Sequence, residues 1–240
     1  MIGQNSTDSP NQVIAVIPAA GSGTRMGLGK AKQFINLGGK PLLAVTLNHF
    51  QECKLVDSIV VVVSEDDIDY CLSEIVYKYK LNKVLKVIAG GARRQDSVRK
   101  GVEAIANSCK WVLIHDGVRP LVSSMLISRV IKAAKDSRAV ITGLPVKESV
   151  KEINDQGRVF RSVDRSNLWL VQTPQIFRCE DIHQAHQNAI KYGWQGATDD
   201  AFLIEKMGIP VTIIDGQEDN IKITTPKDLQ VAQFLISKLR

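Results

Sequence analysis

Runs of apolar, largely β-branched residues of strand length recur along this chain, each followed by a longer amphipathic stretch, and that alternation constrains the fold more than any other feature. The runs are residues 13–18 (VIAVIP), 58–63 (SIVVVV), 84–89 (VLKVIA), 111–115 (WVLIH), 139–146 (AVITGLPV) and 211–215 (VTIID). Because they are continuous rather than alternating, both faces of each strand are expected to be buried. The stretches 41–52, 66–79, 94–108, 123–136, 180–192, 199–207 and 226–238 carry helical patterns. Strand and helix in this order predict an α/β fold, a mostly parallel twisted sheet with helices on both faces. Ligands of such sheets sit beyond the carboxyl ends of the strands, so the chemistry is sought in the segments that follow them.

One region breaks the alternation. Residues 147–171 read KESVKEINDQGRVFRSVDRSNLWLV, short alternating segments around the turn Asn154-Asp155-Gln156-Gly157, and predict a β-arm. An isolated hairpin is barely stable in water, so an arm of this kind is expected to pack on something, although a solvated surface hairpin gives the same pattern. The remainder, 13–240, reads as a single domain behind a loose polar tail, residues 1–12.

Composition removes several function classes. With 44% hydrophobic and 23% charged residues, the chain is neither disordered nor fibrous. No apolar run approaches the roughly 20 residues that cross a bilayer, and the polar first dozen residues cannot form a signal peptide; a cytoplasmic protein with no membrane partner is expected. Cys53, Cys71, Cys109 and Cys179 lie far apart in sequence without a CxxC pair, which argues against a zinc site or disulfide framework and for reduced, packed thiols. The net charge of +6 suits an anionic ligand. The basic residues form no block and aromatics are only 5%, so a phosphorylated small molecule fits better than nucleic acid.

Three strand ends carry polar or glycine-rich segments. After the first comes Pro18-Ala19-Ala20-Gly21-Ser22-Gly23-Thr24-Arg25-Met26-Gly27, then Lys30-Ala31-Lys32. Met26 breaks the dinucleotide fingerprint, and Thr24 and Ala31 break the P-loop pattern. Small residues let backbone N–H groups approach a phosphate, and Arg25 with Lys32 adds charge there, which favours a triphosphate cradle over a plain connection. After the third strand, Gly90-Gly91-Ala92-Arg93-Arg94-Gln95-Asp96-Ser97 offers a polar helix start able to read a base edge, or simply to cap the helix. After the fourth, His115-Asp116-Gly117-Val118-Arg119-Pro120 sets a carboxylate and a guanidinium at a buried strand end, where they serve a ligand or pair with each other.

Taken with Lys32-Gln33-Phe34, Val163-Asp164-Arg165, Leu168-Trp169, Thr173-Pro174-Gln175 and Asn220-Ile221-Lys222, these segments closely resemble the 2-C-methyl-D-erythritol 4-phosphate cytidylyltransferases (IspD type) over nearly all of the chain after the tail. The resemblance implies a Rossmann-like nucleotidyltransferase fold, a homodimer built through the arm, and transfer of a cytidylyl group from CTP to the sugar phosphate with release of pyrophosphate. It implies a divalent cation, Mg2+ or another, held mainly by the CTP phosphates without dedicated protein ligands. Arg25, Lys32, Arg165 and Lys222 then form the catalytic set: the first two stabilise the pentacoordinate α-phosphate, Lys222 positions the sugar phosphate, and Arg165 reaches across the dimer. Substrate-binding residues are Pro18, Ala19, Ala20, Gly21, Gly23, Gly91, Arg94 and Ser97, of which Ala19, Ala20, Gly91 and Ser97 match the family's cytidine and triphosphate contacts. Asp116, Arg119 and the arm residue Ser149 handle ribose, sugar hydroxyls or phosphate.

The sequence departs from the family pattern at Ala31, usually proline, at Ala92, often acidic, and at Glu148-Ser149, commonly Asp-Thr. None removes a residue that carries the chemistry. An ionised phosphate needs no general base, so no catalytic histidine is required; His183 and His186 read as surface positions rather than metal ligands. Two alternatives share the pattern: a cytidylyltransferase for another polyol phosphate such as ribitol 5-phosphate, and a non-catalytic nucleotide-binding module.

Overall fold

The computed structural model describes residues 12–21, 31–106 and 109–238. Most of the tail and the loop with Gly23 and Arg25 lie outside the described residues. The elements run in chain order as β1 (Val13–Pro18), β2 (Asn36–Leu37), β3 (Lys40–Pro41), α1 (Leu42–Glu52), β4 (Ser58–Val63), α2 (Ile68–Tyr70), β5 (Val84–Ala89), α3 (Arg94–Glu103), β6 (Trp111–Ile114) and α4 (Ser124–Ala133). They continue as β7 (Ala139–Pro145), β8 (Val150–Ile153), β9 (Val159–Val163), β10 (Trp169–Arg178), α5 (Cys179–Lys191), α6 (Ala201–Lys206), β11 (Thr212–Asp215) and α7 (Pro226–Ser237).

Seven strands form one sheet in the order β11-β7-β10-β6-β1-β4-β5. All neighbours are parallel except β10, which runs antiparallel to both β6 and β7. Successive side chains of a strand face opposite ways, and β1 shows the consequence. Val13, Ala15 and Ile17 enter one core with Leu47 and Phe50 of α1 and Val130 of α4, while Ile14 and Val16 enter the other with Val98 of α3, Ile182 of α5 and Leu203 of α6. Burying an aliphatic side chain of this size stabilises by about 1.5–3 kcal/mol, so a strand covered on both faces must be apolar throughout.

The expectation of two-sided burial fails at the sheet edges. Leu85 and Lys86 in β5 are exposed, as are Thr212 and Asp215 in β11, because an edge strand lacks a neighbour on one side. β10 has no counterpart among the expected strands; its first residues, Trp169, Leu170 and Val171, pair with β7 instead of belonging to the arm. The hairpin is confined to β8 and β9, closed as expected by Asn154, whose Oδ1 accepts from the N–H groups of Gln156 and Arg158, with Gly157 at φ 73°. The stretch expected as one helix over 66–79 is composite, continuing from α2 into a π-helix (Cys71–Tyr77) that turns Cys71, Ile75 and Val76 inward.

One further expectation is corrected. His186 is buried, not at the surface, because α5 packs against α3, whose Arg99 and Glu103 lie near the ring. The four cysteines are free thiols, as expected; Cys109 and Cys179, distant in sequence, bring their Sγ atoms to 2.7 Å, where β6 and β10 pair antiparallel and Arg178 stands opposite Trp111. No described helix is long and apolar enough to cross a membrane.

Candidate active site

β1 lies where the strand order reverses: the chain passes from it to β4 on one side and is flanked by β6 on the other. The carboxyl end of such a switch strand opens a crevice. Here the crevice is closed by main-chain bonds, Ala19 N–H to Val62 O at 2.7 Å, Gly117 N–H to Pro18 O at 3.0 Å and Gly90 N–H to Val63 O at 2.7 Å, which draw the loops after β1, β5 and β6 together. The approach is too close for side chains. A Cβ on Gly90 would stand 2.6 Å from the Ala20 Cβ, and one on Gly91 2.4 Å from the Asp96 Cβ. The result is a cavity of about 200 Å³ lined by Pro18, Ala19, Ala20, Gly21, Lys32, Gly91, Arg94, Ser97, Asp116 and Lys222.

At the start of α3, helix capping prevails for Asp96, whose carboxylate accepts from the Arg93 N–H and side chain at 3.3 and 2.9 Å. Ser97 pins the glycine turn, its Oγ accepting from Gly91 N–H at 3.1 Å, and still lines the cavity.

Asp116 is the centre of charge. Arg94 Nε donates to its Oδ1 at 2.8 Å, while Lys222 Nζ and Arg119 Nε approach Oδ2 at 3.0 and 3.4 Å. The expected Asp116–Arg119 pairing therefore exists, but as the longest of three contacts. Burial alone would push this carboxyl up; the charges of Arg94, Lys222 and Arg119 outweigh it and hold it well below the usual carboxylate range. Burial lowers Arg119 from the ordinary arginine value despite Asp116.

A neutral network positions this cluster. Burial pushes His115 down to about 3, so the ring is uncharged. Its Nε2 faces the Arg119 carbonyl at 3.1 Å, which can only accept, so Nε2 carries the proton. Nδ1 then accepts from Thr173 Oγ1 at 3.1 Å, and the same hydroxyl accepts from the Asp116 N–H at 3.1 Å. Asn220 Nδ2 donates to Thr173 O at 2.7 Å and Arg119 Nη1 to Asn220 O at 2.8 Å, so the loop that ends at Lys222 is fastened to β10 and to the segment after β6.

A second cavity, about 430 Å³, is lined by Arg94, Asp116, Arg119 and Lys222 together with Ile141, Gln172, Thr173, Gln175, Asp199 and Phe202. Arg94, Asp116 and Lys222 line both cavities. Ser149 and Arg165 are not brought to either: Ser149 precedes β8, and exposed Arg165 donates through Nη1 to the Lys147 carbonyl at the base of the hairpin. Sequence reasoning missed Asp200, wholly buried with its Oδ2 2.8 Å from Arg94 Nη2, because Asp-Asp before a helix reads as an ordinary cap. Gln172 was missed with the strand that carries it.

The described residues bring no three His, Cys, Asp or Glu side chains together as a metal site. Asp116, the carboxylate lining both cavities, already faces three cationic side chains.

Comparison with known proteins supplies a family. The family model described as 2-C-methyl-D-erythritol 4-phosphate cytidylyltransferase matches residues 13–238. A Clostridium acetobutylicum protein of that description is 45% identical over 224 residues, 93% of this chain and 97% of the relative. Among solved structures, a 4-diphosphocytidyl-2C-methyl-D-erythritol synthase from Anaerococcus prevotii superposes with a TM-score of 0.81 at 32% identity, covering 95% of this chain and 99% of that one. The Thermus thermophilus 2-C-methyl-D-erythritol 4-phosphate cytidylyltransferase gives 0.76 at 34% identity, covering 94% and 99%.

Proposed function

The chain belongs to the 2-C-methyl-D-erythritol 4-phosphate cytidylyltransferase family, and from that premise we infer how its own residues carry the reaction. The enzyme transfers the cytidylyl group of CTP to 2-C-methyl-D-erythritol 4-phosphate, giving 4-diphosphocytidyl-2-C-methyl-D-erythritol and pyrophosphate. The observation that carries the assignment of roles is the wall of Arg94, Asp116 and Lys222 common to the two cavities. CTP occupies the smaller, glycine-walled cavity and the sugar phosphate the larger one, so that the acceptor phosphate meets the α-phosphorus at the wall.

The acceptor phosphate is the nucleophile. Its oxygen forms the new bond to the α-phosphorus as the bond to the pyrophosphate oxygen breaks, and no proton need be removed. The demand is to bring two anions together and to neutralise charge on the α-phosphate. Lys32 and Arg25 answer the second part; Lys222 and Arg119 answer the first by attracting the acceptor phosphate. Asp116, strongly acidic in this cluster, is a poor base and instead accepts hydrogen bonds from hydroxyls. Ala19, Ala20, Gly91 and Ser97 frame the nucleotide, with Pro18, Gly21 and Gly23 keeping the loop small.

A divalent cation such as Mg2+ would be held mainly by the CTP phosphates and would offset their charge; among the described residues no three His, Cys, Asp or Glu side chains come together as a ligand group. The hairpin arm joins two copies of the chain, bringing Ser149 and Arg165 of one to the acceptor cavity of the other. In support, Ile153, Val159 and Phe160 on the hairpin are 63%, 62% and 68% exposed. We read 13–240 as one nucleotidyltransferase domain, acting in the cytoplasm. The test is pyrophosphate release from CTP and Mg2+ with methylerythritol 4-phosphate or ribitol 5-phosphate. Release with the first acceptor is expected; release only with the second would replace the substrate, and none with either would leave a nucleotide-binding module.

A further inference from the structure

We propose that Asp200 is a positioning residue for the acceptor half of the reaction, anchoring the Arg94 guanidinium so that Arg94 in turn fixes Asp116 toward the acceptor cavity. The inference rests on the two-cavity reading above and adds to it a residue that touches neither substrate.

Asp200 stands at the N-cap position of α6, yet its side chain makes no capping bond. Its neighbour Asp199 takes that part, Oδ1 accepting from Phe202 N–H at 3.2 Å, and Asp199 is itself held by Gln175 at 3.0 Å. The ordinary reason for an aspartate at this place is therefore absent. Instead the carboxylate turns inward, 1% exposed, to within 2.8 Å of Arg94 Nη2. A buried carboxylate is costly without a compensating charge, and burial does raise the Asp200 carboxyl above its usual range against the pull of Arg94.

The guanidinium fork explains the retention. Arg94 donates Nε to Asp116 Oδ1 and sets Nη2 in an ion pair 2.8 Å from Asp200 Oδ2, without hydrogen-bond geometry between those two atoms, and a planar guanidinium held between two carboxylates is restricted in orientation. With Oδ1 occupied in this way, Oδ2 is the oxygen directed to Lys222 and Arg119, the cations of the acceptor cavity. Released from Asp200, Arg94 is a long cation in the wall of both cavities, free to lean toward the triphosphate and leave Asp116 unfixed.

The test is Asp200→Asn, which keeps the shape and removes the charge. The acceptor KM should rise about tenfold or more, equivalent to about 1.4 kcal/mol, while the Kd for CTP, measured by calorimetry without acceptor, holds or tightens. Arg94→Lys, which keeps the charge but not the fork, should give the same split in acceptor KM, and adding Asp200→Asn to it should change little more, since the two act as a unit. An unchanged acceptor KM in a folded Asp200→Asn, or equal weakening of both substrates, overturns the proposal. If Asp200→Asn fails to fold, Arg94→Lys decides alone: an unchanged acceptor KM overturns the proposal and a selective rise supports it. Inactivity of the wild-type chain with CTP and methylerythritol 4-phosphate would instead overturn the functional reading beneath it.

Discussion

Asn220 donates its buried side-chain amide to the main-chain carbonyl of Thr173 at 2.7 Å, and this bond aims Lys222. The donor lies in a loop without regular structure, the acceptor at the register slip in β10 between Gln172 and Ile176, and two residues beyond Asn220 the lysine reaches Asp116. Asn220→Ala leaves a buried carbonyl without that donor, which costs about 1–3 kcal/mol. The expected outcome is a lower midpoint in urea and a raised acceptor KM together; a stability loss with unchanged acceptor kinetics would show that Lys222 is positioned by something else.

Lys32→Ala and Arg25→Ala should each lower kcat by about 10²-fold or more while CTP binding weakens less, because a fixed cation matters most where charge develops. Steady-state kinetics with calorimetric CTP binding checks this. Near wild-type kcat with only a raised KM would remove the transition-state role from that residue.

Asp116→Asn takes away the carboxylate that faces Arg94, Lys222 and Arg119. Acceptor turnover should fall by about 10²-fold at neutral pH while circular dichroism reports a folded chain; the hydrogen-bond acceptor toward sugar hydroxyls is halved and the cations are no longer held. A chain that no longer folds would mean that the cluster is structural before it is functional.

Stability should fall on mild acidification. His115 is buried and its value is pushed down to about 3, and His186, with neither ring nitrogen hydrogen-bonded, is pushed down to about 4, in both cases by burial first. The unfolded chain binds protons near pH 6.5 and the folded one does not, so stability is full above that pH and drains away as pH falls toward those values. His115 alone accounts for about 2 kcal/mol between pH 7 and pH 5. Denaturant midpoints at the two values check the slope, and His115→Gln, whose amide can still donate to the Arg119 carbonyl, should flatten it. A slope unaltered in that variant would assign the acid sensitivity elsewhere.

The central parallel strands β1, β4 and β6 were legible in the sequence because burial on both faces leaves them continuous and apolar. β10 was not, and the reason is chemical. Its middle reads Gln172-Thr173-Pro174-Gln175, which breaks an apolar pattern and resembles a loop, yet Gln172, Thr173 and Gln175 are buried and bond to Gln217, Asp116 and Asp199. The polar groups that hide the strand are those that build the site. Asp116, Arg119 and Lys222 were visible as charges at strand ends or in motifs, whereas the bridging of Arg94 to Asp200 joins elements whose meeting depends on the whole sheet, and no local spacing signals it.

Arg165 is expected to act in trans. It follows β9 outside both cavities, on an arm whose exposed Val159 and Phe160 invite a partner, and a two-fold dimer that exchanges arms would bring it to the neighbouring acceptor cavity. Lys32→Ala and Arg165→Ala, co-expressed under separate affinity tags, allow mixed dimers to be purified from both parents. With Arg165 acting across the interface, one site of each mixed dimer combines both defects and the other keeps a wild-type Lys32 and a wild-type Arg165, which restores about half of the wild-type activity. With Arg165 acting in its own subunit, every site retains one defect. Mixed dimers as inactive as their parents would rule out the exchange, and a chain that stays monomeric at micromolar concentration would remove its premise.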